Sequence, residues 1–132
     1  MLSKTKKGTI GEELAVDFLQ KKGTIGEDLA VDYLEKKGYR ILQRNYRFEH
    51  GEIDIVAEGG NVLVFVEVKA RRSKEYGEPE DAITPRKRVK IRATADGYLF
   101  ENTIDDKECR FDVIAIYYKD NKTEIRHIID AF

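Results

Sequence analysis

The chain has 132 residues, the size of one domain, and its formal net charge is −1 because 24 Lys and Arg face 25 Asp and Glu. A hydrophobic share of 41% with so little net charge excludes intrinsic disorder and a generally polycationic nucleic-acid binder, although a local basic site is still allowed. The single cysteine, Cys109, excludes an intramolecular disulfide framework and a cysteine-rich zinc site. With no apolar leader and no run near about 18 apolar residues, we expect a cytoplasmic protein without membrane contact.

A tandem repeat opens the chain. Residues 6–20 read KKGTIGEELAVDFLQ, residues 21–35 read KKGTIGEDLAVDYLE, and 12 of the 15 positions match. Each copy has apolar residues at helical spacing, with Gly23 and Gly38 placed to end the two helices. Fifteen residues advance about 60° beyond four helical turns, so one continuous helix would carry two offset apolar stripes. We interpret the repeat as a natural or engineered duplication in which one copy does the original job. The alternative is that the spare copy mediates a homodimer or exchanges with the other copy.

The remaining sequence predicts five strands and a second helix. Apolar residues that alternate or run continuously predict the strands, over residues 39–48, 51–58, 61–70, 109–118 and 123–129. The third strand is almost entirely apolar, which is typical of a central strand covered on both faces. Thr84 and Pro85 predict the start of a helix that runs towards Leu99. The order of one helix, three strands, one helix and two strands predicts a mixed α/β fold with helices packed on a sheet.

Charged residues end the predicted central strand, where burial is expected. Glu67 and Lys69 are two positions apart and therefore project from one face. The glycine-rich turn before this strand predicts a hairpin in which Glu52 lies opposite Glu67 and Asp54 lies opposite Phe65. Asp54 and Glu67 would then converge, and two carboxylates on one divalent cation are a typical magnesium arrangement. An ordinary polar face with a Glu–Lys pair explains the same pattern, so both interpretations stay open here.

A basic segment follows these acids. Residues 69–92 hold nine basic and four acidic residues, and five of the seven residues 86–92 are basic. The start of a helix already attracts phosphate, so cations there favour an anion-binding surface. A solvated helix face is the ordinary explanation of such a run, but the neighbouring acids favour phosphodiester binding. The candidate nucleic-acid contacts are Arg71, Arg72, Arg86, Lys87, Arg88 and Lys90.

The acids also belong to a recognisable pattern. Asp54, followed after about a dozen residues by Glu67-Val68-Lys69, resembles the D…(D/E)-X-K signature of the PD-(D/E)XK nuclease superfamily. Six surrounding segments look like the YraN family: Gly26–Ala30, Gly38–Leu42, Arg44–Tyr46, Gly51–Asp54, Val64–Lys69 and Arg110–Val113. That family is similar in sequence to archaeal Holliday-junction resolvases, and its members are regarded as predicted endonucleases.

The resemblance implies an α/β restriction-endonuclease-like mixed sheet in the order α-β-β-β-α-β-β, with an extra N-terminal helical copy. Residues 1–22 would be the duplicated helical segment, and residues 23–132 the nuclease domain. The implied function is a magnesium-dependent DNA endonuclease, with manganese as a second usable ion and branched or structured DNA as the substrate. The alternatives are a non-catalytic nucleic-acid-binding or assembly protein on the same fold, and an engineered helix duplication of it.

The resemblance also implies roles for single residues. Asp54, Glu67 and the backbone carbonyl of Val68 would hold the metal ion. Lys69 would orient or deprotonate the attacking water and help to neutralise the transition state. Glu27 would add a further acid to the metal site from the first helix.

Two further interpretations come from the repeat and from the last strands. Glu12 duplicates Glu27, and because Glu27 alone has the family's spacing of eleven residues to Gly38, we expect the second copy in the native place. Which of the two acids completes the site stays open. Asp112 is interpreted as a structural partner of a basic group such as Arg110, and His127 as an ordinary strand histidine.

Overall fold

The structure, a computed structural model, describes residues 15–72, 78–119 and 121–132, and of residues 15–24, 79–80 and 119 it describes the backbone alone. In chain order the elements are α1 (Ala15–Lys36), β1 (Arg40–Phe48), β2 (Gly51–Gly59), β3 (Val62–Arg71), a 3-10 turn (Pro79–Ala82), α2 (Pro85–Glu101), β4 (Glu108–Lys119) and β5 (Lys122–Ile128). These elements agree with the predicted order α-β-β-β-α-β-β, whereas the extra N-terminal helical copy is not confirmed. No helix in these residues is long and apolar enough to cross a membrane.

One five-stranded mixed sheet carries the fold, with its strands in the order β1-β2-β3-β4-β5. β1, β2 and β3 form an antiparallel meander, and β5 returns antiparallel to β4. β3 and β4 are parallel, so the chain must cross over between them, and α2 lies in that crossover. The prediction that the apolar third strand is central is therefore confirmed.

The two helices pack on opposite faces of the sheet. On one face, Leu63 and Phe65 of β3 belong to a core that includes residues of α2. On the other face, Val64 and Val66 pack with Ala30 and with other residues of α1. Because strand residues alternate between faces, the positions of Glu67 and Lys69 continue the face of β3 that α2 covers.

The β2–β3 register differs from the prediction by two residues. Val56, not Asp54, pairs with Phe65, and Gly59 pairs with Val62. The hairpin loop therefore consists of residues 60–61 rather than 59–60, and Gly60 takes the positive φ of 61° that such a tight loop needs. A shift of two residues changes the partner of each residue but not the sheet face on which it lies.

Helix α1 continues through the first predicted helix end. Gly23 lies inside α1, so the expectation that it closes a separate helix is wrong. An interior glycine costs a helix only about 1 kcal/mol, which neighbouring residues can offset. Gly38 does end the helix, with φ of 94° and a backbone hydrogen bond of 2.9 Å from Tyr39 N to Leu34 O. Glu12 and the start of the first repeat copy, through residue 14, lie outside the described residues.

Helix α2 begins as predicted. The Thr84 hydroxyl accepts a hydrogen bond from the backbone N–H of Lys87, and Pro85 occupies the first turn. Gly97 lets this helix lie close to β1, because a Cβ atom at Gly97 would stand 2.4 Å from Cγ of Phe48. The helix is thereby fixed against the sheet, with its basic N-terminal turns on the side of Glu67.

Candidate active site

Two acids face each other where β2 and β3 stop pairing. The last pair on that side is Ile55–Val66, and one further step along both strands brings Asp54 across from Glu67. Oδ2 of Asp54 accepts a hydrogen bond of 2.8 Å from the backbone N–H of Val68. The Asp54 carboxylate therefore occupies the place that a backbone partner of Val68 would take in a continuous ladder.

Burial and mutual repulsion make these carboxylates hard to ionise. Burial, the Glu67 charge and the charges of Glu27 and Glu52 raise the pKa of Asp54 to about 7, although the hydrogen bond from Val68 opposes this rise. Burial also raises the pKa of Glu67, against the nearby ammonium groups of Lys69 and Lys87. A divalent cation between the acids would remove this penalty.

Lys69 lies next to Glu67. Its Nζ atom is 3.6 Å from Oε2 of Glu67, and both side chains keep only about a fifth of their surface exposed, at 21% and 19%. The pair is oriented on the α2 face of β3, where strand alternation puts both residues. An ammonium group is thus held beside the Glu67 carboxylate.

Glu27 reaches the same site from α1. Its Oε1 accepts a hydrogen bond of 3.1 Å from Nδ2 of Asn45 and lies 3.7 Å from a guanidinium nitrogen of Arg44. Its charge contributes to the raised pKa of Asp54. Glu27 of the second repeat copy is therefore close enough to Asp54 to affect its pKa, whereas Glu12 is outside the described residues.

Asn45 is a site residue to which sequence reasoning gave no role. Its φ of 51° is left-handed, a conformation that Asn tolerates better than most residues. The residue lies between the paired positions Arg44–Ile55 and Tyr46–Ile53, where the β1–β2 register places Asp54 opposite it. An Asn inside an otherwise strand-like segment was the available signal, because Asn is depleted in strands and enriched where φ is positive.

The donor atoms of the site suit magnesium. Val68 turns its N–H towards Asp54, and the carbonyl of a strand residue points to the same side as its N–H, so the Val68 carbonyl also faces the side of β3 on which Asp54 lies. Carboxylate and carbonyl oxygens are the ligands that Mg²⁺ takes. Within residues 15–72, 78–119 and 121–132, no three His, Cys, Asp or Glu side chains already form a metal-binding group.

The first turns of α2 form one wall of a pocket beside the acids. Lys87 and Lys90 line it together with Glu67, Glu52 and His50, and its volume is about 190 Å³. The Lys87 charge is close enough to Glu67 to oppose the rise that burial causes in the pKa of that acid. The structure thus brings two of the predicted phosphate contacts to the acids.

The other predicted contacts have different surroundings. Arg72 and Arg86 are exposed. Arg88 is partly used by the fold, because its Nε donates a hydrogen bond of 3.0 Å to a backbone carbonyl and its guanidinium lies 5.6 Å from the ring centre of Phe132. Arg71 ends β3 and is half-buried. Arg72 and Arg86 thus present their charge to solvent, whereas Arg88 is partly committed to packing.

Asp112 lies in a separate buried network. It is fully buried, accepts hydrogen bonds from Nε and a terminal nitrogen of Arg110, each at 2.9 Å, and lies 2.7 Å from Nε2 of His127. Burial alone would raise the pKa of Asp112, but its bonds to His127, Arg110 and the N–H of Asp130 hold it below the usual range. The interpretation of Asp112 as a structural partner of Arg110 is confirmed. His127 was expected to be an ordinary strand histidine. It also links this network to α1, because its other ring nitrogen lies 3.3 Å from the Tyr33 hydroxyl.

A family comparison matches most of this domain. The uncharacterised protein family UPF0102 matches residues 26–116. This range contains the candidate site residues Glu27, Asp54, Glu67 and Lys69. The chain belongs to UPF0102. This family is consistent with the YraN resemblance of the sequence, and the name carries no activity.

Close relatives of the chain bear the same UPF0102 name. The UPF0102 protein of Syntrophomonas wolfei is 48% identical over 125 residues, which cover 95% of this chain and 96% of that protein. The one from Syntrophus aciditrophicus is 46% identical over 132 residues, covering 100% and 92%. A third, from Sulfurihydrogenibium sp., is 48% identical over 131 residues, covering 99% and 97%. The UPF0102 match begins at residue 26, within the second repeat copy, and does not include residues 6–20.

Proposed function

We propose that this UPF0102 protein is a magnesium-dependent DNA endonuclease on a restriction-endonuclease-like fold, and that it acts on branched or structured DNA. The observation that carries the proposal is the Asp54 carboxylate held by Val68 N–H at the end of the β2–β3 ladder, across from Glu67. Two acids at the end of a sheet ladder repel each other and hinder pairing there. A cation-binding role gives this arrangement a reason that a structural role does not.

Each residue of the site has one task in this proposal. Asp54, Glu67 and the Val68 carbonyl hold the ion, and Glu27 adds a fourth oxygen ligand from α1. Bound Mg²⁺ supplies Lewis-acid polarisation of the phosphate and a lowered pKa of the attacking water. Lys69, held 3.6 Å from Glu67, orients that water and donates a hydrogen bond to a phosphate oxygen as negative charge develops.

The basic turns of α2 would hold the DNA backbone over these acids. Lys87 and Lys90 share a pocket with Glu67, and Arg86 is exposed on the same helix. Lysine and arginine contacts to phosphates supply most of the sequence-independent affinity for DNA. A backbone bound along this wall would pass the carboxylates, which is the juxtaposition that hydrolysis requires.

A non-catalytic nucleic-acid-binding or assembly protein on the same fold is the second candidate. The ion pair between Lys69 and Glu67 favours it, because each charge is then satisfied without a cation. Metal affinity therefore separates the two candidates.

The test compares the natural protein with Asp54→Asn and with a control, Asp32→Asn. Asp32 is an exposed acid of α1 whose partner is Lys36 one turn later, so its loss changes the charge equally without touching the site. Calorimetric titration with MgCl2 and MnCl2 should give saturable binding for the natural protein and the control, and none for Asp54→Asn. Labelled four-way junctions and linear duplexes should be cleaved only in metal, and DNA binding by Asp54→Asn should persist or tighten.

Each result has a defined meaning. DNA binding without metal binding or cleavage would favour the second candidate. Cleavage that continues in EDTA, or in Asp54→Asn, would show that the reaction does not use this site.

A further inference from the structure

Arg71 has an unsatisfied donor at the end of β3. Its Nε atom is buried from solvent and has no hydrogen-bond partner within the part of the chain that the structure describes. A guanidinium stays charged at any ordinary pH, and a buried donor on a charged group is costlier to leave unpaired than a neutral one. Because native proteins rarely leave such groups unpaired, an acceptor that arrives with a ligand is the natural partner.

Arg71 lies on the same face of β3 as Glu67 and Lys69. Ala70 faces α1, because a Cβ atom built on Gly26 of that helix would lie 3.5 Å from the Cβ of Ala70. Neighbouring strand residues alternate, so Arg71 faces the other way, two positions beyond Lys69. At about 3.3 Å per residue, the Cα atoms of Lys69 and Arg71 are about 6.6 Å apart, a distance comparable with one nucleotide of an extended backbone.

We propose that Arg71 binds the phosphate adjacent to the scissile phosphate, one nucleotide along the cleaved strand. This inference rests on the proposed function and deepens it, because it fixes how the strand lies over the site: the scissile phosphate at Lys69, the next one at Arg71. When the half-buried side chain turns outward on binding, the guanidinium fork can offer Nε and one terminal nitrogen to two oxygens of a single phosphate, which a lysine cannot do. The exposed lysines of α2 then supply affinity for the DNA backbone, whereas Arg71 fixes which phosphate lies at Lys69.

The first measurement needs no DNA. Arg71→Met keeps most of the apolar stem and removes the guanidinium, and Arg71→Lys keeps the charge without the fork. Arg40→Met is the control, since Arg40 is an exposed strand residue paired with Glu58, near the hairpin loop. Because Nε of Arg71 loses no bond, we expect the melting temperature of Arg71→Met to equal or exceed that of the natural protein.

The second measurement is DNA binding in EDTA over a series of KCl concentrations. Arg71→Met should bind a labelled junction about tenfold more weakly, and the slope of log affinity against log salt should flatten by about 0.7–0.9. Arg71→Lys should recover the slope but not the full affinity, and Arg40→Met should retain both. Single uncharged methylphosphonate linkages can be placed in turn at each position of the strand. At one position the linkage should weaken binding by the natural protein but leave binding by Arg71→Met unchanged.

The failures are distinguishable. If Arg71→Met has a lower melting temperature but the same slope of log affinity against log salt as the natural protein, Arg71 is a structural residue and this inference is wrong. Unchanged melting with an unchanged slope would mean that Arg71 makes no contact with the DNA backbone, which also overturns it. If the natural protein and Arg40→Met bind no DNA at low salt, the proposed function itself fails, and the Arg71 assignment fails with it.

Discussion

Removing the charge of Asp54 should stabilise the protein at neutral pH. The pKa of Asp54 rises from its ordinary 3.8 to about 7, chiefly because the carboxyl is buried and next because Glu67 is near. At about 1.4 kcal/mol per pKa unit, this rise corresponds to about 4 kcal/mol as an upper limit. Glu67 shares the same proton equilibrium, so we expect about half, or about 2 kcal/mol, from Asp54→Asn.

The effect has a defined pH window. The folded protein keeps the Asp54 proton up to about pH 7, whereas the unfolded chain releases it near pH 4, so the folded state binds more protons between these values. The free energy of unfolding should therefore fall as the pH rises from about 4 to about 7. Asn has no proton to lose, and its amide oxygen can still accept the hydrogen bond from Val68, so Asp54→Asn should flatten this fall.

Urea unfolding at pH 4.5 and pH 8, in EDTA, measures both effects. With an m value of about 1–3 kcal/mol per molar urea, a gain of about 2 kcal/mol moves the midpoint at pH 8 by about 1 M. The variant and the natural protein should nearly coincide at pH 4.5, and Asp32→Asn should follow the natural protein throughout. An Asp54→Asn variant that is less stable at pH 8, or that keeps the full pH dependence, would refute the reasoning.

Three other changes test the fold around the site. Asp112→Asn should cost about 3 kcal/mol of unfolding free energy, because it leaves the partly buried Arg110 charge without its carboxylate, and a midpoint in urea like that of the natural protein would contradict this. Gly97→Ala should cost about 1–3 kcal/mol in the same assay, since the added methyl meets the Phe48 ring, and a neutral result would mean that the ring moves aside. Deletion of residues 6–20 should leave a folded, metal-binding domain and, if the first repeat copy forms a homodimer, a smaller mass by light scattering. An unfolded deletion variant would show that the first copy belongs to the core.

The order of elements could be read from the sequence because periodicity is a local property. Alternation in β2 and the continuous apolar run of β3 marked two neighbouring strands, and Thr84 with Pro85 marked the start of α2. The register was wrong because residues 59–61 allow two different two-residue loops. Either loop keeps each residue on its face of the sheet, so the apolar pattern could not choose between them.

The site was predictable as a set of charges but not as a geometry. Asp54, Glu67 and Lys69 stood out because charged residues occur where burial is expected. The hydrogen bond from Val68 to Asp54 depends on where the β2–β3 ladder ends, which no local pattern fixes. Asn45 was given no role because a left-handed φ within a strand is set by its neighbours in space, not by its neighbours in sequence.

The hairpin formed by β2 and β3 also has a consequence for folding kinetics. It brings Asp54 and Glu67 together within residues 51–71, so their meeting closes only a short loop. Contacts of such low sequence separation are candidates for early formation, and the repulsion between the two acids would then be felt in the folding transition state. Mild acid should therefore speed refolding rather than only slow unfolding, and so should Mg²⁺ if the proposed ion binds these acids. The charges that would serve hydrolysis in the folded protein would therefore slow the folding of the chain.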